Sequence, residues 1–183
     1  MPPVSVTPSG LPCCSIARPR SLFQKLIVGD WITVPQNLII EGPTGVGKSW
    51  LACALGNKAC RDNHSVLYQR VPKLFPDLAL ARGDGRYPRL MKRLGKVRLL
   101  ILDDWGLEPF GSDQRRDLLE VVEERYGRGA TLITSQTPVD RWHAIIGEPI
   151  IADAILDRLV HNAHRLRLKG DSLRKKIVPQ STA

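Results

Sequence analysis

The sequence predicts an α/β fold, a doubly wound parallel sheet flanked by helices, and three observations carry that prediction. Leu38-Ile39-Ile40, Leu99-Leu100-Ile101-Leu102 and Ala130-Thr131-Leu132-Ile133 are nearly continuous apolar runs, as strands covered on both faces require. Segments of helical period alternate with them, which is the pattern of a parallel sheet. The first run leads straight into Gly42-Pro43-Thr44-Gly45-Val46-Gly47-Lys48-Ser49, and the helical Trp50-Leu51-Ala52-Cys53-Ala54-Leu55 follows. Strand, glycine-rich turn and helix in that order are the setting of a phosphate-binding loop.

The elements follow in order. Met1 to Arg20 hold five of the fourteen prolines and no period, and read as a disordered or unrelated extension. A helix is expected from Ser21, with Leu22, Phe23, Leu26 and Ile27 sharing a face, and Gly29 stops it. Asp30-Trp31-Ile32 leads to the first core strand, Asn37 to Glu41. Beyond the loop a helix runs from Lys48 to Asp62, then a turn at Asn63-His64 and a short strand from Ser65 to Gln69. Pro72 suits the first turn of the next helix, and Pro76 either breaks that helix or lies near its start.

Arg82-Gly83-Asp84-Gly85-Arg86 reads as a charged loop and Arg89 to Leu94 as a short helix. Val97 to Leu102 is the clearest buried strand, closed by Asp103-Asp104. Asp113 to Tyr126 is an amphipathic helix with Leu118, Leu119, Val122 and Tyr126 on one side, stopped by Gly127 and Gly129. The buried strand Ala130 to Ser135 comes next. Helices at Asp140 to Ile146 and Ala152 to His161 precede a last strand, Arg165 to Leu168. One nucleotide-binding domain is therefore expected over residues 21–176, with a tail at 177–183.

Composition narrows the function. A chain of 183 residues holds one core, and 43% hydrophobic with 25% charged residues is ordinary for a globular domain. Its 27 Lys+Arg against 18 Asp+Glu, net +9, favour a polyanionic partner, nucleic acid first. Cys13 and Cys14 are adjacent, Cys53 and Cys60 form no C-x-x-C pair, and His64, His143, His161 and His164 lack ligand spacing. Disulfide and zinc frameworks are thus not expected. No apolar run reaches the length of a membrane span and no signal peptide is recognisable, so the expectation is a cytoplasmic protein with no membrane partner.

The chemistry starts at the loop. Glycines let successive N–H groups turn toward phosphate oxygens, and the positive end of the following helix adds to the field. The residues from Gly42, Pro43, Thr44, Gly45, Val46 and Gly47 to Trp50 make the binding set. Lys48 reaches the β and γ phosphates of ATP, and the Ser49 hydroxyl ligates Mg²⁺. Hydrolysis also needs a metal anchor opposite the loop and a group to orient the attacking water. Asp103, ending a buried strand, has the form of that anchor. Asp104 stands where water-polarising ATPases usually place the longer Glu.

Ligands gather at the carboxyl ends of strands in such sheets, which puts Ser135 or Gln136 near the γ-phosphate or its water. In the C-terminal third, Arg158, Arg165, Arg167, Lys169 and Ser172-Leu173-Arg174-Lys175-Lys176 admit three readings. They meet transition-state charge, or face DNA, or form a solvated surface. No helix-turn-helix or zinc pattern points to sequence-specific recognition.

From Leu26 to Lys176 the chain resembles the IstB-like helper ATPases of bacterial insertion sequences, members of the AAA+ group close to DnaC helicase loaders and the initiator DnaA. The matching words are Gly29-Asp30-Trp31-Ile32, the phosphate loop, Leu99 to Gly106, Thr134-Ser135-Gln136, Ala152 to Arg165 and Lys169 to Arg174. The Ala152 to Arg165 segment is the most specific of these. The resemblance implies a P-loop fold of AAA+ type and ATP hydrolysis coupled to assembly on double-stranded DNA. It also implies support of a transposase and ATP held between subunits of a homo-oligomer. By position Arg158 looks like an arginine finger, Arg174 like the second sensor, and Ser135 with Gln136 like the first, where relatives usually carry Asn. Family members carry a helical region before Gly29, which residues 1–20 do not resemble, so the chain is expected to lack it. The alternatives are a DnaC-like helicase loader, or a nucleotide- and DNA-binding remnant without ATPase activity.

Overall fold

Five strands, β1 (Asn37–Glu41), β2 (Val66–Arg70), β3 (Leu99–Trp105), β4 (Ala130–Ser135) and β5 (Ala163–Arg167), form one sheet in the order β2-β3-β4-β1-β5, every neighbouring pair parallel. The helices are α1 (Arg20–Val28), α2 (Asp30–Thr33), α3 (Lys48–Arg61), α4 (Val71–Gly83), α5 (Tyr87–Lys96), α6 (Ser112–Arg125), α7 (Trp142–Ile146) and α8 (Pro149–Val160). This is a computed structural model, and it describes residues 20–173. The expected extension up to residue 19, the tail and Arg174 lie outside the described residues.

Strand order dictates the layers. The step from β1 to β2 crosses the sheet one way, and each later step runs the other way. Because parallel crossovers are right-handed, reversing direction moves the connecting helices to the other face. On one side Leu38, Ile40, Leu99, Ile101 and Leu132 pack with residues of α1, α2 and α3. On the other, Ile39, Leu100, Leu102 and Ile133 pack with α4 to α8. Successive strand residues thus serve opposite cores, which explains the unbroken apolar runs. Leu100 is fully buried, and truncating it to Ala costs about 3 kcal/mol. Following helices leave β1 and its neighbour β4 toward opposite faces, so a crevice opens at their carboxyl ends.

Several boundaries differ from expectation. β3 continues through Asp103 and Asp104 to Trp105, where a bulge shifts its register against β4. Asp30–Thr33 is a turn of helix, and β5 begins at Ala163. α4 passes unbroken through Pro76 and absorbs Arg82 and Gly83. Pro76 faces solvent while Leu74, Phe75 and Leu78 are buried, so packing outweighs the missing N–H. α5 is longer than expected at both ends, and Val139–Arg141 forms a 3-10 turn ahead of α7. α8 starts at Pro149, where the Glu148 carboxylate accepts from the Ile151 N–H at 2.8 Å. On α6, Tyr126 is 62% exposed and Val121 takes the buried place expected of it. Among the described residues no helix is long and apolar enough to cross a membrane.

Candidate nucleotide site

The loop between β1 and α3 sits at the crevice. Its backbone demands glycine: Gly42 and Gly45 have φ of 154° and 83°. A methyl group at Gly42 would lie 2.5 Å from the Leu168 carbonyl oxygen, and one at Gly45 would collide with the Ser172 hydroxyl. The base of the loop is clamped from both neighbouring strands. Gly42 N–H donates to the Ser135 carbonyl at 3.2 Å, and Leu168 N–H donates to the Glu41 carbonyl at 2.8 Å. Buried Glu41 accepts from Arg167 Nε at 2.6 Å and from Val139 N–H at 3.2 Å. Leu173 N–H donates to the Gly45 carbonyl at 2.9 Å, which brings the C-terminal segment against the loop.

Lys48 opens α3, and its side chain folds back over the loop. The ammonium donates to the carbonyls of Gly42 and Pro43, both at 2.8 Å. Burial lowers its pKa, an effect opposed by the negative charges of Asp104 and Asp103. A cation that is desolvated yet held by two neutral carbonyls is ready to exchange them for phosphate oxygens. Trp50, two residues further on, is 50% exposed.

Asp103 is the focus of the polar contacts. Only 2% of it is exposed, and Ser49 Oγ donates to its Oδ1 at 2.9 Å. Thr134 Oγ1 donates to the same oxygen, and Tyr68 OH donates to Oδ2 at 2.5 Å. Burial and the hydrogen bond to Asp103 push the Tyr68 phenol far above its ordinary value, so it stays a donor. The structure thus joins Ser49 and Asp103, from α3 and β3, as the sequence expected. The all-oxygen pair of hydroxyl and carboxylate suits a hard divalent cation such as Mg²⁺.

Asp104 is turned elsewhere. It occupies the bulge with φ 61°, a left-handed conformation that Asp tolerates better than most residues. Its Oδ2 accepts from Arg70 Nη2 at 2.6 Å and Nε at 3.0 Å, and its N–H donates to Thr134 Oγ1 at 3.2 Å.

The two residues expected near the γ-phosphate part company. Ser135 is fully buried, and its hydroxyl faces the carbonyls of Trp105 and Thr137 at 3.0 and 2.9 Å. Gln136 reaches the loop instead, where its Oε1 accepts from Thr44 Oγ1 at 2.5 Å.

Arg158 lies at the far end of the sheet. The side chain of Asn37, which starts β1, donates to the Arg158 and Leu159 carbonyls at 2.9 and 3.1 Å. The length of β1, roughly 13 Å, therefore separates it from the loop of its own chain. Its guanidinium donates to the Ala154 carbonyl at 2.9 Å, pairs with Glu123 at 3.3 Å and lies 5.9 Å from the Tyr126 ring centre.

Sequence reasoning gave no role to Tyr68, Arg70, Thr134 and Glu41, although it quoted Thr134 among the polar residues that end its strand. Three of them follow from strand pairing. β2 runs parallel beside β3 with Arg70 opposite Asp103, and Thr134 lies on the other flanking strand. Polar residues at the carboxyl ends of the strands flanking a buried Asp were the available signal, but strand order is needed to read it.

The comparisons agree with this geometry. A family model described as IstB-like ATP binding protein matches residues 15–181. A protein of Sinorhizobium fredii (strain NBRC 101917 / NGR234), named as an insertion sequence ATP-binding protein, is 70% identical over 156 residues. That match covers 85% of this chain but 64% of the relative, so the chain spans just under two thirds of its length. Among solved structures, the DnaC helicase loader matches with TM-score 0.66 at 20% identity, over 81% of this chain and 87% of that one. The replication initiator DnaA, bound to AMPPCP and single-stranded DNA, matches with TM-score 0.67 at 14% identity, over 85% of this chain and 48% of that one. At such identities the likeness shows the fold alone, which is that of the AAA+ P-loop ATPases.

Proposed function

The chain belongs to the IstB-like ATP-binding protein family, and from that premise we propose that it binds and hydrolyses ATP as a helper of DNA transposition. It acts as a homo-oligomer on double-stranded DNA in support of a transposase. The observation that carries the enzymatic part is the meeting of Ser49, Thr134 and Tyr68 on one buried carboxylate, Asp103, beside a glycine loop. A buried carboxylate held by three hydroxyl donors is a costly arrangement unless a cation is to be held there.

In this reading the loop N–H groups and Lys48 take the phosphates, Lys48 giving up its two carbonyl acceptors as they enter. Ser49 and Asp103 hold Mg²⁺. When bound, Mg²⁺ neutralises charge on the β and γ phosphates. Tyr68 and Thr134 fix the Asp103 carboxylate, and Asp104 orients the attacking water after leaving Arg70. Gln136, next to Ser135 and already touching Thr44, is the side chain that follows the state of the loop. Arg158, too far to serve its own loop, reaches the ATP of a neighbouring subunit. Arg174, following the Leu173 that bonds the loop, answers to the same phosphates. Insertion-sequence relatives, rather than helicase loaders, set the biological context.

One experiment decides the core of this. ATP affinity and turnover are measured for the wild type and for Lys48→Ala, with and without duplex DNA. Loss of the charge-assisted contacts weakens ATP binding by about 100-fold and abolishes turnover. Unchanged nucleotide affinity in the variant would remove Lys48, and with it the site, from the assignment.

A further inference from the structure

One groove of the described surface lies away from the nucleotide site. It has a volume of about 960 Å³ and lies between α4 and α5, near the amino ends of β2 and β3 marked by Ser65 and Val97. Its apolar lining includes Leu80, Ala81 and Leu90. Its rim carries Arg86, Arg89, Lys92, Arg93 and Lys96, against the single carboxylate of Asp77.

Four of those cations belong to one stripe. Arg89, Lys92, Arg93 and Lys96 are all exposed, and on a helix they fall within an arc of roughly 100°. Met91 and Leu94, on the opposite side, are buried. None of the four side chains makes an ion pair or hydrogen bond with any described residue. Arg89–Arg93 and Lys92–Lys96 are like-charge pairs at i,i+4, which destabilise a helix. α5 contains no acidic residue to relieve them.

The stripe is also held rigid. At its start Tyr87 OH donates to Asp117 and Glu120 of α6 at 2.9 and 2.7 Å, and Arg82 pairs with the same Asp117. At its end buried Arg125 donates to the carbonyls of Leu94 and Val97 at 2.6 and 3.0 Å. These contacts fix the helix that carries the cations, so its backbone loses little conformational entropy on binding.

We propose that the α5 stripe and its groove bind the phosphate backbone of double-stranded DNA without reading sequence. The proposal rests on the reading that the chain acts on DNA, and adds where. Arg89, Lys92 or Arg93, and Lys96 repeat about every 5 Å along one face, which suits a repeating line of phosphates. The polar lining of the groove is almost wholly cationic, which suits phosphate oxygens, the contacts that position a duplex without reading it. It lies at the end of the sheet away from the phosphate loop, so DNA and ATP occupy separate sites.

The test uses the full chain and a fluorescent DNA duplex of mixed sequence, with anisotropy followed across a salt series. The stripe variant carries Arg89→Gln, Lys92→Gln, Arg93→Gln and Lys96→Gln. A charge-matched control carries Lys25→Gln, Arg61→Gln, Arg116→Gln and Arg141→Gln, all exposed positions. The stripe variant is expected to lose tenfold or more in affinity, with a log–log salt slope shallower by about three to four. Its ATP affinity is expected to match the wild type, which also reports that it folds, and the control is expected to bind duplex well. Duplex binding by the stripe variant equal to that of the wild type overturns the proposal alone. An equal loss in the control does so as well. A wild type with no salt-dependent duplex binding overturns both the proposal and the reading beneath it. Preference of the wild-type stripe for polyglutamate over duplex would assign the groove to an acidic protein instead.

Discussion

At the carboxyl end of the sheet the polar side chains converge; at the amino end they divide into those sealed inside and those sent outward. Ser49, Thr134 and Tyr68 all close on Asp103, and Arg70 closes on Asp104. At the other end Arg125 is 2% exposed and donates to Thr131 Oγ1 and to the carbonyls of Leu94, Val97 and Ala130. Its neighbours there, Arg158 and the α5 cations, present charge to the surface. One end is organised about a buried carboxylate. The other builds a fixed base that carries cations at its surface. The difference teaches that an arginine's role is set by what its fork is aimed at, since Arg125 and Arg158 begin from the same chemistry.

The largest effect that could break this division concerns Arg158. Arg158→Ala is expected to lower turnover by about 1,000-fold while ATP affinity stays within about twofold, because in the proposed reading the cation meets only transition-state charge on a neighbour. Mixing that variant with Lys48→Ala sharpens the point. One subunit then supplies an intact loop and the other an intact arginine, and turnover recovers in the mixture. Failure to recover, or a fall in ATP affinity, would return Arg158 to a merely structural place beside Glu123.

Arg125→Ala comes next and should read on stability instead. Burial lowers the Arg125 pKa to about 10, yet three backbone carbonyls depend on its donors. Leaving them buried and unpaired costs about 3 kcal/mol, and for a domain of this size the melting temperature drops by roughly 6–12 °C. ATP affinity of the folded fraction should not move. If nucleotide binding weakened in step with stability, the two ends would not be separable as argued.

How far these ends could be read from sequence follows the same division. β1 and β4 have the bounds that their apolar runs predict, and the loop between β1 and α3 has the glycines its φ values require. Local pattern sufficed there because each signal lies within a few residues. The Asp103 cluster was half legible. Asp103 and Ser49 announce themselves, but Tyr68 and Thr134 become partners only once β3 is known to lie between β2 and β4. Asp104 was singled out by its place after Asp103, while its left-handed backbone and its hold on Arg70 come from a bulge that no local pattern marks. The buried side of α6 shows a similar limit. Periodicity chose Tyr126, but the chain turns at Gly127, and Tyr126 is left outside beside Arg158.

The smallest effect tests whether the carboxyl end is as complete as it looks. Asp104 is one methylene shorter than the Glu that water-polarising ATPases use, and Arg70 draws it toward β2. Arg70 is itself largely solvent-exposed, so the pair restrains Asp104 only weakly. Asp104→Asn keeps the backbone preference and removes the charge; turnover should fall tenfold or more with ATP affinity unchanged. Asp104→Glu should do the reverse on a smaller scale. Its longer reach raises turnover about two- to fivefold, while φ 61° suits Glu less well than Asp and lowers the melting temperature by a few degrees. A rate that rises as stability falls separates reach from folding, since a merely structural Asp104 would move both downward. Full turnover in Asp104→Asn would show that another group handles the water. Gln136, already in contact with Thr44 at the loop, is then the side chain to substitute next.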